Sequence, residues 1–201
     1  MAHNGPFCVM VGDCGTNMAM SATKPRKPRP PLTAAKLEEL ALNYVGRFAT
    51  SRAKLVNYLR RKLRERGWEG ESDPDLDRLT ERLSGLGYVD DRAYAVSKAR
   101  SLTARGYGVR RVRQALSIAG IGEEDSGEAR DLAEAEAVEA ALRFAKRKGL
   151  GPFSAGTPDP RNREKALAAM VRAGHRFPLA IGILDLAPGE SPDIESLANL
   201  R

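Results

Sequence analysis

Cysteine and histidine are scarce in this sequence. Its cysteines, Cys8 and Cys14, both lie near the start, and its histidines are His3 and His175. A fold stapled by disulfides needs several spaced pairs, so this is not one. Neither cysteine has a second cysteine or a histidine at zinc spacing, which leaves the pair at most a half-site. No apolar run approaches the ~20 residues that would span a bilayer. The short stretch Phe7–Gly12 has no basic flank before it and makes a poor signal peptide. No glycine-rich loop joins a strand to a helix, so the phosphate cradle of nucleotide enzymes is missing. The acids sit in helix caps or in one Glu-rich helix, where structural roles account for them, and no catalytic constellation emerges. The chain reads as a binding protein, not an enzyme.

What the chain does have is positive charge and helical patterning. Its 201 residues carry a net charge of +7, with an isoelectric point near 9.6, which fits an acidic partner: nucleic acid or an acidic protein surface. Residues 1–32 read as a disordered basic tail, because SATKPRKPRPP mixes proline and cations without apolar periodicity. Residues 1–19 read as an over-long start, with Met20 as the alternative one. Thr33 is placed to cap a first helix striped by Leu37, Leu40, Ala41, Tyr44 and Phe48. Ser51 opens a second, with Leu55, Val56, Leu59 and Leu63 inward and Arg52, Lys54, Arg60, Arg61, Lys62, Arg64 and Arg66 outward. Its own Glu65 cannot balance so many cations, and like charges at helical spacing each cost a few tenths of a kcal/mol. A third helix is expected to start with Asp73 as cap and Pro74 in the first turn.

The stretch Gly85–Ile121 organises the middle of the chain. Asp90 is placed to cap a helix running to about Arg105. Gly106-Tyr107-Gly108 makes a tight turn, and a further helix starts near Val109. Val109, Val112, Leu116 and Ala119 share one face of that helix, while Arg110, Arg111 and Arg113 share the other, with no acidic residue on the same helix. Such arginines fit a polyanion, and they equally fit a solvated face. Gly122–Arg130 reads as one short helix at best, and Asp131–Lys148 as a longer one. Further helices are expected from Pro160 to about Ala173 and over Pro178–Ala187, with a loose tail from Pro188. His175, beside a helix end, reads as a packing residue rather than a base.

Three helix endings look alike: Leu63–Gly67–Trp68, Leu116–Gly120–Ile121 and Met170–Gly174–His175, with glycines about 53 and 54 residues apart. Regular spacing of this kind signals stacked repeats, each too small to bury a core alone. The expected fold is all-α: tandem three-helix repeats over 33–88, 89–130 and 131–187 in an elongated, curved molecule, with a C-terminal tail over 188–201.

Three blocks carry a family resemblance: Ser51–Trp68, Leu76–Ala95 and Arg105–Ile121. With Leu86-Gly87-Tyr88-Val89-Asp90-Asp91 and the Gly106-Tyr107-Gly108 turn before the arginine cluster, the chain resembles the RecX family, bacterial regulators of the RecA recombinase. Further on, only the layout matches. His175 stands where the family has an aromatic residue, and Pro178 and Gly182 depart from its final helix.

The resemblance implies a curved, basic, cytoplasmic monomer without a cofactor that lies in the groove of a RecA filament on DNA. Binding there would block filament extension or promote disassembly, lower ATPase and strand exchange, and so regulate DNA repair, recombination and the SOS response. DNA contact, to single or double strands, would be non-specific and salt-sensitive. The expected partner-binding residues are Arg60, Arg61, Arg64, Arg105, Tyr107, Arg110, Arg111 and Arg113. The alternative is a sequence-specific regulator, since two helices joined by Gly-Tyr-Gly can mimic a helix-turn-helix. Gln114 and Ser117 would be its base-reading side chains, although the rest of that face suits phosphates better.

Overall fold

The computed structural model describes residues 30–156 and 159–200. Cys8, Cys14, His3, Met20 and the basic tail up to residue 29 lie outside the described residues. Helices follow one another as α1 (Ala34–Val45), α2 (Arg52–Arg66), α3 (Leu76–Gly85), α4 (Asp91–Ala104), α5 (Val109–Ile118), α6 (Glu123–Ala135), α7 (Ala137–Lys148), α8 (Pro160–Arg172), α9 (Phe177–Asp185) and α10 (Ile194–Ala198). A 3-10 turn, Gly151–Phe153, follows α7. The all-helical expectation holds, and no strand occurs among the described residues.

The apolar stripes bury into three clusters. Leu32, Leu37, Leu55, Leu59, Leu83 and Val89 form the first, from α1–α3 and their flanks. The second, from α4–α6, is built on small side chains: Ala95, Ala99, Ala129 and Ala133 let α4 lie close on α6, with Val112 and Leu116 filling in from α5. The third gathers Phe144, Met170, Leu179, Ile183 and Leu197 from α7–α10. Tyr107 packs against both the second and the third.

Several boundaries differ from the sequence expectation, each for a local reason. Leu32, assigned to the tail, is fully buried and pairs its backbone with Gly67 and Glu69. The α3 cap is Asp75, whose Oδ1 accepts from the Arg78 N–H at 2.9 Å, so Pro74 precedes the helix instead of opening it. Residues 123–148 form two helices, not a short helix and a long one. The joint at Glu136 keeps the backbone bonds Glu136 N–H to Leu132 and Ala140 N–H to Glu136, so no glycine, proline or cap marks it in the sequence. The tail after Pro188 contains α10, held by buried Leu197.

The helix endings also need correction. Tyr88, Tyr107, Ile121, Leu150 and His175 all close a Schellman turn, each N–H bonding a carbonyl five residues back, after a positive-φ glycine. Gly67 does not belong with them: its ψ of 174° turns the chain into an extended segment that pairs with Leu32. The ending therefore occurs more often than the proposed repeat and cannot by itself define it. What singles out Gly120 and Gly174 is what packs against them.

Candidate functional site

Two joints connect the three helix groups, and each abuts the start of one helix with the end of another. At the first, Ser51, the N-cap of α2, is fully buried. Its hydroxyl donates to the Ala119 carbonyl at the end of α5 (2.6 Å) and accepts from the Lys54 N–H. A Cβ at Gly120 would lie 2.3 Å from the Ala53 Cβ, so only glycine lets the two helix ends approach. Asp91, the first residue of α4, closes the joint. Its carboxylate accepts the Arg52 backbone N–H at 2.8 Å and the Arg52 Nε–H at 3.0 Å, and Arg52 also reaches Asp125 on α6. These contacts, the Asp91 hydrogen bond first, raise the Arg52 pKa.

The second joint repeats the pattern. Gly108 and Arg110, at the start of α5, donate their backbone N–H groups to Ala173 and Gly174 at the end of α8 (3.0 and 3.1 Å). The first N–H groups of a helix have no partner within it, and the last carbonyls of another supply one. The pairing also sets the positive end of one helix dipole against the negative end of the next. A Cβ at Gly108 would lie 2.4 Å from the Gly174 carbonyl, and one at Gly106 would lie 2.9 Å from the Phe144 nitrogen of α7. The Gly-Tyr-Gly turn thus fastens one helix group to the next. Phe144 and His175 close it with ring centroids 5.5 Å apart. The His175 Nε2–H donates to the Gly106 carbonyl at 3.2 Å, while Nδ1 is buried without a partner. Burial, and secondarily the nearby Arg147 charge, lower the His175 pKa to about 4, so the ring is neutral. His175 is a packing residue, as its place in the sequence implied.

The joints sort the cations. Arg52 is tied to Asp91 and Asp125, Lys54 donates to the Tyr94 hydroxyl, Lys62 and Arg61 reach Glu65, and Arg66 donates to the Pro30 carbonyl. Arg60 and Arg64 are exposed and carry no ion pair among the described residues. The imbalance inferred for α2 is therefore smaller than its sequence implied, because Asp91 and Asp125 reach Arg52 from other helices. On α5, Arg113 pairs with Glu134 of α6, which also holds Arg176. Arg111 donates only to the neutral Gln114 amide oxygen, and Arg110 has no side-chain partner among the described residues. Arg105 lies over the ring of half-buried Tyr107, its guanidinium carbon 5.4 Å from the ring centre. Arg172, unnoticed in the sequence, is exposed and shares a groove with Arg110 and Arg111. No cluster that could hold a metal ion occurs among the described residues, and no described helix is long and apolar enough to cross a membrane.

These features define an all-helical protein of three-helix domains, joined end to end through glycine contacts and bearing exposed arginines without acidic partners. The family model described as "RecX, second three-helix domain" matches residues 90–129. The chain is 34% identical over 173 residues to "Regulatory protein RecX" of Myxococcus xanthus, covering 82% of this chain and 91% of that one. It is 33% identical over 143 residues to "Regulatory protein RecX" of Thermus thermophilus, covering 71% of this chain and 84% of the relative. A crystal structure of RecX from Lactobacillus salivarius shares the fold, with a TM-score of 0.53 at 20% identity, over 74% of this chain and 92% of that one. The chain belongs to the RecX family of regulatory proteins.

Proposed function

We propose that this protein binds the RecA–DNA filament and inhibits the recombinase, so regulating DNA repair and recombination. It does so as a cytoplasmic monomer without a cofactor and without catalysis of its own. The observation that carries this reading is family membership across most of the chain. The chemistry supports it: the chain is basic, and exposed arginines without acidic partners recur on α2, α5 and α8. Arg60, Arg61, Arg64, Arg105, Tyr107, Arg110, Arg111 and Arg113 remain the proposed contacts. Arg60, Arg64, Arg110 and Arg111 lead, because their guanidinium groups are not already held by a carboxylate.

The division into units at 33–88, 89–130 and 131–187 is part of the proposal. The second buried cluster, which continues to Ala137, favours moving its second boundary to Glu136. Units joined in a row would give an elongated, curved molecule, and weak contacts linked in one chain reinforce one another. A sequence-specific reader through α5 is less well supported. A recognition helix reads bases with its N-terminal residues, and here the α5 N-terminus is occupied by Ala173 and Gly174.

The test is titration of the protein into a pre-formed filament of RecA on single-stranded DNA, with ATP turnover as readout. Turnover should fall with added protein. Replacing Arg110, Arg111 and Arg113 by Glu should abolish the inhibition while circular dichroism stays helical. Unchanged turnover with the parent chain, together with a footprint on one duplex sequence, would favour the regulator instead.

A further inference from the structure

Of the grooves described on this surface, one has no carboxylate in its wall. It measures 370 Å³ and lies over the joint between α5 and α8, lined by Arg110, Arg111, Gln114, Val171, Arg172 and Gly174. The other grooves all contain acids, such as Asp77 and Glu81, Glu38, Asp90 and Glu128, or Glu123. Three guanidinium groups in one groove repel one another, and its wall offers only the neutral Gln114 amide oxygen, to Arg111, and no carboxylate. Elsewhere around the joint several arginines have carboxylate partners: Arg113 and Arg176 share Glu134, Arg143 reaches Glu136 and Arg163 reaches Asp185, while Arg105 lies over the Tyr107 ring and Arg147 donates to the Arg105 carbonyl.

The groove also straddles a boundary. Arg110 and Arg111 belong to the start of α5 and Arg172 to the end of α8. Of the two backbone bonds that hold the joint, Arg110 to Gly174 is made by its own wall, and Gly108 to Ala173 by residues next to that wall in sequence. An anion gripped from both sides would fasten α7–α9 to α4–α6.

We propose that this groove is a phosphate clamp: Arg110, Arg111 and Arg172 take phosphodiester oxygens of a DNA strand, and the strand thereby stiffens the α5–α8 joint. Guanidinium forks match phosphate oxygens bidentately. A nucleic-acid backbone brings successive full charges to a cluster of this kind, whereas a protein surface brings single carboxylates interleaved with cations. The inference deepens the functional reading above, since it rests on DNA being part of what the protein meets, and it adds Arg172 to the contacts.

The test needs no recombinase. Binding of the full chain to a labelled single-stranded oligonucleotide is followed by fluorescence anisotropy over a range of salt. The variant Arg110→Gln/Arg111→Gln/Arg172→Gln should bind at least ~10-fold more weakly, and the slope of log affinity against log salt should shrink by about two, because each lost phosphate contact removes about 0.7 for a single strand. The control Arg163→Gln, on the same α8 but paired with Asp185, should leave both unchanged. Amide exchange at Gly108 and Arg110 should slow when the oligonucleotide is added to the parent chain. Unchanged affinity and slope in the triple variant overturn the proposal, and so does exchange at those amides that ignores the oligonucleotide. If the triple variant binds DNA normally yet no longer inhibits RecA ATPase, the occupant is an acidic protein surface: the clamp fails while the functional reading stands. If the parent chain does not inhibit RecA, the functional reading fails and the oligonucleotide arms still decide the clamp.

Discussion

The hydroxyl of Ser51 stands 2.6 Å from the carbonyl oxygen of Ala119, across 68 residues of sequence, and both residues are buried. One side chain thereby caps the start of α2 and the end of α5 together. Ser51→Ala should remove the cap and strand the Ala119 carbonyl, lowering stability by about 1–3 kcal/mol. Urea denaturation followed by circular dichroism would read this as a lower midpoint with an unchanged slope. An unshifted midpoint would mean that the joint contributes nothing to folding.

Glycines with the same backbone strain should differ in cost according to what faces them. Gly174 (φ +97°) and Gly87 (φ +77°) both hold a conformation that disfavours side chains. At Gly174 a Cβ would meet the Arg111 nitrogen at 2.5 Å, whereas at Gly87 nothing lies within 4 Å. Gly87→Ala should cost about 1 kcal/mol, and Gly174→Ala about 2–4 kcal/mol once overpacking is added. Equal losses in thermal melts would show that the α5–α8 contact yields without strain.

The contrast marks how far the sequence could be read. Apolar periodicity placed the helices, and Asp90, Ser51 and Thr33 do cap them. The glycine spacing hinted at a repeat, but through an ending that five helices share and Gly67 lacks. The real repeat is a contact between helix ends, Ser51 on Ala119 and Gly108 on Ala173, and no pattern within one helix records what abuts it. The same holds for charge. Asp91 follows the cap residue Asp90 in sequence, yet its side chain serves the start of α2. Glu134 lies 21 residues from Arg113 and neutralises it. Arg172 was illegible because the arginines beside it in the groove come from another helix.

Acid should loosen the second joint. His175 is only 2% exposed, and burial holds its pKa at about 4 against an ordinary 6.5. Below pH 6.5 the unfolded chain gains a proton that the folded chain refuses until about pH 4. Stability that is complete above pH 6.5 is therefore lost through that window, by up to about 3 kcal/mol. His175→Phe keeps an aromatic ring beside Phe144 and has nothing to protonate. The fall in urea midpoint between about pH 7 and about pH 5 should be smaller in the variant, by about 1–2 kcal/mol of unfolding free energy. Parallel pH profiles for variant and parent would place the His175 ring in water rather than in the joint.

Arginines on one helix should respond in opposite ways. Arg60 and Arg64 are exposed without an ionic partner among the described residues, and they add to the crowding of positive charge on α2. Replacing both by Gln should leave stability within about 0.5 kcal/mol of the parent, since surface changes free of specific contacts seldom exceed that. Arg52→Gln, at the first residue of the same helix, is different. The Asp91 side chain is only 6% exposed and loses its charged partner, keeping the backbone N–H alone. Because the Arg52 side chain is itself 46% exposed, water screens the pair and the loss should be about 1–2 kcal/mol rather than that of a fully buried ion pair. On the recombinase filament the order reverses: the Arg60/Arg64 variant should inhibit less, while Arg52→Gln, folded at low temperature, should inhibit as the parent does. Loss of inhibition by Arg52→Gln under conditions where it is fully folded would move the contact surface to the first joint and away from the outer face of α2.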